Sequence, residues 1–326
     1  MYKSFRGGVL SVFVLTFLSA PTLAQNGVVN STKNPLQIAT LHWYNANGTT
    51  QFPVGSGPEG VVFDGANVWV TNFTNGSNIG SITKLRANDG AVLGSYTVGN
   101  GPLWPAFDGA NIWVPNSGGS NVTKLRASDG VVLGNFNVGS NPVAVAFDGI
   151  NLWVANNSSA SVTKLRASDG KVLGTFTVGL GPSGLAFDGA NIWVGNGSDY
   201  TMTKLRASDG KVLGTFGPVI FPYGLAFDGA NVWVVNNGSS STVTKMRVSD
   251  GAVLGTFNVG SYAQGVVFDG SNIWVANFAS NNVTKLRASD GKLLGTFGVD
   301  AGAAGLAFDG ANIWVANYSS NTVSKK

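Results

Sequence analysis

The chain has 326 residues, of which 46 are glycine and none is cysteine; 44% are hydrophobic, 11% are charged, and the formal net charge is +4. Sparse charge, abundant glycine and the lack of any Glu, Lys, Ala and Leu run at a 3.6-residue period argue against a helical protein. Without cysteine there is no disulfide framework and no lipid-modified cysteine anchor, and Lys and Arg alternate with Asp rather than forming a basic block, which speaks against a nucleic-acid partner.

The N-terminus reads as an export signal over residues 1–24. Lys3 and Arg6 supply the positive start, Val9 to Leu18 is an apolar run too short to span a bilayer, and Thr22-Leu23-Ala24 precedes a cut at Gln25. The expected location is periplasmic or extracellular, with no stable membrane insertion after cleavage. Residues 25–37 are a polar leader. From 38 to 54, an Asn47-Gly48 hairpin signal leads to Phe52-Pro53-Val54-Gly55, which imitates the later Phe176-Thr177-Val178-Gly179.

Thereafter one motif recurs. Phe-Asp-Gly stands at Phe63, Phe107, Phe147, Phe187, Phe227, Phe268 and Phe308, and each copy is followed by a tryptophan: Trp69, Trp113, Trp153, Trp193, Trp233, Trp274 and Trp314. A period near forty marks stacked supersecondary units rather than one continuous core. Each unit reads in four beats. Gly184-Leu185-Ala186-Phe187 alternates into the Asp188-Gly189 turn, and Asn191-Ile192-Trp193-Val194 returns. After a polar loop, a strand like Val162-Thr163-Lys164-Leu165-Arg166 reaches a Ser168-Asp169-Gly170 turn, and Lys171 to Phe176 completes the unit. The spacing predicts an all-β, seven-bladed β-propeller of four-stranded antiparallel blades over 38–326, with blades at 56–99, 100–139, 140–179, 180–219, 220–260, 261–300 and 301–326.

The last unit runs through Thr322-Val323-Ser324-Lys325-Lys326 with neither a second Asp-Gly turn nor a final strand. The missing piece is the one that residues 38–54 resemble, so the N-terminal strand is expected to complete the C-terminal blade and leave no long unpaired edge. The third strand of that blade has two claimants, His42-Trp43-Tyr44 and the C-terminal residues.

Two signatures, Gly179-Leu180-Gly181-Pro182-Ser183-Gly184 and Trp153-Val154-Ala155-Asn156, make the repeat resemble the YVTN, NHL and streptogramin-lyase group of bacterial β-propellers, over roughly residues 38–326. The resemblance implies the fold strongly and the activity poorly, because the group includes lyases, surface proteins and propellers with no assigned chemistry. Lyase chemistry in this group implies histidine and glutamate in the central pocket. Here His42 is the only histidine and falls in the closing segment.

Comparing the units with one another separates frame from decoration. Asp64, Asp108, Asp148, Asp188, Asp228, Asp269 and Asp309 belong to the first turn, and Asp89, Asp129, Asp169, Asp209, Asp250 and Asp290 to the second, where an aspartate bonds its own backbone or tolerates positive φ. The repeated Lys and Arg, from Lys84 and Arg86 to Lys285 and Arg287, are expected to cover the Trp and Phe of a neighbouring blade and reach the turn aspartates. Only Glu59, Asp199 and Asp300 fall outside the template, and with one histidine, one glutamate and no thiol neither a Ser-His-Asp arrangement nor a His-containing zinc cluster can be assembled. No metal and no cofactor are expected.

What varies is one face: the loops leading into the innermost strand and those after the second strand. Trp104, Phe221, Tyr223 and Tyr262 are aromatics outside the template in the first set, and Asp199 and Tyr200 lie in the second. Loops on a rigid frame are where binding residues concentrate. The candidate ligand-binding residues are therefore Glu59, Trp104, Asp199, Tyr200, Phe221, Tyr223, Tyr262, Gln264 and Asp300. The expected function is that of an exported, non-catalytic scaffold that binds a protein, a carbohydrate or a small molecule through this face. The alternative is a lyase- or lactonase-like enzyme that uses the central cup, with Glu59 or Asp300 as base or metal ligand.

Overall fold

A computed structural model describes residues 50–73 and 79–326. The signal and leader, and most of the expected closing segment, including His42, lie outside the described residues.

The described chain opens with β1 (Gln51–Pro53) and continues as seven blades. Blade one holds β2 (Pro58–Phe63), β3 (Asn67–Asn72), β4 (Ser81–Arg86) and β5 (Val92–Thr97). Blade two holds β6 (Ala106–Phe107), β7 (Asn111–Asn116), β8 (Asn121–Arg126) and β9 (Val132–Asn137). Blade three is β10 (Pro142–Phe147), β11 (Asn151–Asn156), β12 (Ser161–Arg166) and β13 (Val172–Thr177). Blade four is β14 (Pro182–Phe187), β15 (Asn191–Asn196), β16 (Thr201–Arg206) and β17 (Val212–Phe216). Blade five is β18 (Pro222–Phe227), β19 (Asn231–Asn236), β20 (Thr242–Arg247) and β21 (Val253–Asn258), and blade six is β22 (Ala263–Phe268), β23 (Asn272–Asn277), β24 (Asn282–Arg287) and β25 (Leu293–Gly298). Blade seven has β26 (Ala303–Phe308), β27 (Ile313–Asn317) and β28 (Thr322–Lys325), with β1 as its outer strand: the order is β1-β28-β27-β26. The C-terminal residues thus supply the third strand, and β1 lies against it with Phe52 opposite Val323.

Each blade forms for local reasons. In the first turn the glycine takes the positive φ, 95° at Gly189, while the Asp188 carboxylate accepts the backbone N–H of Ala190 and Asn191 at 2.9 and 2.7 Å. Its second oxygen accepts the indole N–H of Trp193 at 2.8 Å, so the aspartate that makes the turn also fixes the ring. Desolvation is the largest single influence on such a carboxyl and pushes it up, but the N–H donors together outweigh it and hold Asp188 and Asp228 below the ordinary carboxylate value.

The core consists of layers between blades. Trp193 of blade four is fully buried among Met202 and Val219 on one side and Val232, Val234 and Met246 of blade five on the other. The lysine opposite Trp193 in the ladder, Lys204, sets its ammonium 5.0 Å from the ring centroid, and the other blades repeat the contact at 4.7 to 5.3 Å. The expected lysine–aspartate bridge is therefore corrected. Each lysine covers the tryptophan of its own blade, and Lys84, Lys124, Lys164, Lys204, Lys245 and Lys325 donate to backbone carbonyls just before the second turn of the next, as in Lys164 to Ala207 at 2.6 Å. The arginines alone meet the turn aspartates, within one exposed turn, as in Arg126 and Asp129 at 2.9 Å. Lys325 of blade seven reaches the Ala87 carbonyl of blade one at 2.8 Å, so the ring closes through the contact that joins blades one to six in succession.

Removing the first-turn carboxylate strands the indole N–H and two backbone N–H groups together. Asp188→Ala is expected to lower the unfolding free energy by about 2–4 kcal/mol in urea titrations, whereas Asp209→Ala, in the exposed second turn, leaves the midpoint nearly unmoved. Equal effects from the two would contradict this division of labour.

Candidate functional site

In five of the seven blades, those with Gly60, Gly184, Gly224, Gly265 and Gly305, the innermost strand approaches its neighbour so closely that a side chain will not fit between them. At Gly305 a Cβ would lie 2.3 Å from the Glu59 carbonyl oxygen, and at Gly224 the same distance from that of Gln264. The residue before this inner-strand position is free to vary from blade to blade: Glu59, Leu103, Val143, Ser183, Tyr223, Gln264 and Ala304 occupy it in turn. Below them Val61, Pro105, Val145, Leu185, Leu225, Val266 and Leu306 line an apolar channel of about 150 Å³.

Blade two breaks this pattern. Pro105 offers no N–H to the ladder, and β6 keeps only two residues. Trp104 instead bridges to blade three, its N–H bonding Val143 at 3.2 Å while its carbonyl accepts the Val145 N–H at the same distance. Its ring meets Tyr223 from across the ring, with centroids 4.8 Å apart and planes at 87°. Trp104 lines both the channel and a second cavity of about 280 Å³, whose walls also include Phe73, Leu103, Val143, Ser183 and Tyr223. The pair therefore stands at the channel mouth.

Polar groups here lack partners. The Trp104 indole N–H and Gln264 Oε1 are buried without a hydrogen bond. Glu59 is 7% exposed, and no described residue bonds its carboxyl. Desolvation pushes Glu59 up to about 7. Burial first, and then the nearby Glu59 charge, raise the Tyr223 phenol well above its ordinary value, which places the two groups within electrostatic reach of each other.

The other candidates fall elsewhere. Tyr200, Phe221 and Tyr262 are 41%, 50% and 48% exposed on the loop face, and Tyr200 meets Phe221 edge-on at 4.6 Å. All three hold left-handed backbone, with φ of 56°, 42° and 50°. The position of Phe221 and Tyr262 is Gly57, Gly101, Asn141, Gly181 and Gly302 in the other blades, and all of these have positive φ. In every blade the carbonyl of this residue accepts an N–H from the loop after the second strand, as Phe221 does from Asn237 at 3.0 Å. The frame thus imposes the conformation, and the aromatics tolerate it at roughly 1–2 kcal/mol each. Asp199 accepts the Leu180 N–H at 2.6 Å beside a groove lined by Thr177, Thr201 and Thr203, away from the mouth. Asp300 accepts Thr322 Oγ1 at 2.6 Å and the Gln51 side-chain amide, so it fastens the closing strand.

Ser183 was not among the candidates, although it shares the repeat position of Glu59, Tyr223 and Gln264. Its hydroxyl donates to Pro222 O at 2.6 Å and lines the upper cavity. Aligning the units position by position would have found it. Among the described residues no three His, Cys, Asp or Glu side chains converge as a metal group would need, and no helix is long and apolar enough to cross a membrane.

The architecture has solved counterparts. Hydrazine synthase from Kuenenia stuttgartiensis superposes with a TM-score of 0.70 at 18% identity, over 83% of this chain and 95% of that one. This chain is a seven-bladed β-propeller. At such identity the likeness concerns the fold alone. No protein family matches the chain, and no curated protein does.

Glu59 gives the site a signature in stability. Its folded value near 7 lies above the ordinary 4.5, so between those values the folded chain holds a proton that the unfolded chain releases. Stability contributed by the protonated form is complete below the unfolded value and is lost as pH rises through the folded one. Glu59→Gln is expected to remove this slope and to exceed the parent in unfolding free energy by roughly 3 kcal/mol at pH 8. Parallel pH profiles for the two proteins would contradict the burial of the carboxyl.

Proposed function

We propose that the protein is an exported β-propeller that binds a ligand or partner through its loop face, with the channel mouth as the principal site. The observation that carries this reading is the unbonded Trp104 indole N–H and Gln264 Oε1, together with a buried Glu59 carboxyl that no described residue bonds, beside an aromatic pair that the repeat does not require. Buried polar groups ordinarily find partners. Where the frame supplies none, a bound molecule can. The rim residues Tyr200, Phe221 and Tyr262 extend the surface outward, and their strained backbone fits a role in contact rather than in packing. The cup is preformed, so binding needs little rearrangement. Export follows from the N-terminal signal, and the YVTN, NHL and streptogramin-lyase resemblance supports an envelope or extracellular setting.

A second reading has one observation in its favour. A carboxyl held near 7 is poised for general acid–base work, so a lyase- or lactonase-like enzyme would use Glu59 as its base. Turnover of lactones or cyclic depsipeptides that Glu59→Gln abolishes would establish it.

Binding is tested by thermal-shift screening of the purified protein against sugars, peptides and small metabolites. Trp104→Ala is expected to weaken any true ligand about tenfold or more, while Arg126→Ala on the opposite face leaves it unchanged. Ligands that bind both variants as they bind the parent would remove the loop face from consideration. Exported protein recovered from the producing cell should begin at Gln25 on N-terminal sequencing; a mature chain that still carries Lys3 and Arg6 would refute signal cleavage.

A further inference from the structure

The upper cavity has an unusual lining for its size. Phe73, Trp104 and Tyr223 give it three aromatic rings, two of them nearly perpendicular, and Ser117, Asn141, Asn157 and Ser183 add neutral polar groups. No lysine or arginine lines it. Among the described residues every Lys and Arg lies on the third strand, on the second turn that follows it or, for Lys326, just past β28, toward the opposite face. The acids outside the repeat template, Glu59, Asp199 and Asp300, all belong to the loop face. The loop face thus carries acid without base, and of its three acids Glu59 is the one beside the mouth, since Asp199 and Asp300 are engaged elsewhere.

We propose that this cavity binds a substituted ammonium group, enclosed by the rings of Phe73, Trp104 and Tyr223 and neutralised by the Glu59 carboxylate. The inference rests on the loop-face reading above and names its ligand class. Perpendicular aromatic faces attract a weakly hydrated organic cation through their quadrupoles, and most strongly where water is excluded. An isolated carboxylate in a buried site is expensive until a counter-charge arrives. Glu59 is in that position: it is buried, no described residue bonds it, it holds the repeat position from which Val143, Ser183 and Tyr223 line the cavity, and Ser183, Val143 and Ala304 show that the frame accepts small neutral residues there. A hard divalent cation is disfavoured, because it requires six to eight oxygen ligands and only one acid is near. An anion would find no cation to meet it.

Isothermal titration of the mature full-length protein with choline, set against its neutral carbon isostere, tests the assignment. Choline is expected to bind about tenfold or more tightly than the neutral alcohol. Glu59→Gln and Trp104→Ala are each expected to cut choline affinity about tenfold or more, with Trp104→Phe, which keeps an aromatic face, falling between. Arg126→Ala, in an exposed turn on the opposite face, serves as the unaffected control. A short peptide carrying trimethyl-lysine distinguishes the source of the cation: tighter binding than choline points to a protein side chain, weaker binding to a free solute, and either supports the proposal. Equal affinity for the neutral isostere, choline binding unchanged by Glu59→Gln, or no binding of any ammonium probe would overturn it. If the isostere binds and Trp104→Ala abolishes that binding, the cavity remains a site and only the ligand class is lost. If Trp104→Ala leaves it intact, the loop-face reading fails as well.

Discussion

Everything in this ring hangs on how a tryptophan is held between two blades. The indole N–H is tied to the aspartate of its own first turn, one face lies under the lysine opposite it in the ladder, and the ring packs against apolar residues of the next blade. The lysine then continues across the gap to backbone carbonyls of that neighbour. A single unit of Asp, Trp and Lys therefore sets the turn, the packing and the spacing of blades together. Because blade seven makes the same contact with blade one through Lys325, the constraint runs around the circle, except between blades six and seven, where Lys285 covers Trp274 without bonding a carbonyl of the next blade.

That economy explains where freedom remains. The face carrying the two Asp-Gly turns is committed to the frame and is nearly identical from blade to blade. On the other face the frame demands only a left-handed residue before each inner strand and a close approach around the axis. Departures from the repeat collect there: a tryptophan beside a proline that makes a strand begin late, a glutamate with no partner among the described residues, and two aromatics where glycine or asparagine would be relaxed. Each is locally unfavourable. Sites that violate local rules on an otherwise consistent scaffold are where function is to be sought.

The fold was legible in the sequence because periodicity is a property of the chain itself. Seven Phe-Asp-Gly turns with a tryptophan at a constant offset fix blade number, strand order and closure together. The lysine was misassigned because its partner is a backbone carbonyl some forty residues away, and sequence carries no mark of a carbonyl's direction. For the site, internal comparison located the variable face and the residues foreign to the template. It could not tell that Asp300 bonds the closing strand or that Asp199 caps a neighbouring backbone amide, since both depend on loop paths rather than on spacing. Nor could it show that Trp104 and Tyr223, from blades two and five, meet across the ring. Ser183 was within reach, because its repeat position is that of Glu59.

The central claim is that these departures exist for contact with another molecule and that the frame would be better off without them. The unfolding free energy of a chain carrying Phe221→Asn and Tyr262→Asn, the residue that blade three places there as Asn141, tests this most directly. Relief of left-handed strain predicts a protein as stable as the parent or more so, by up to about 1–2 kcal/mol. A loss of more than about 1 kcal/mol would show that the aromatics hold the ring together, and would contradict the account.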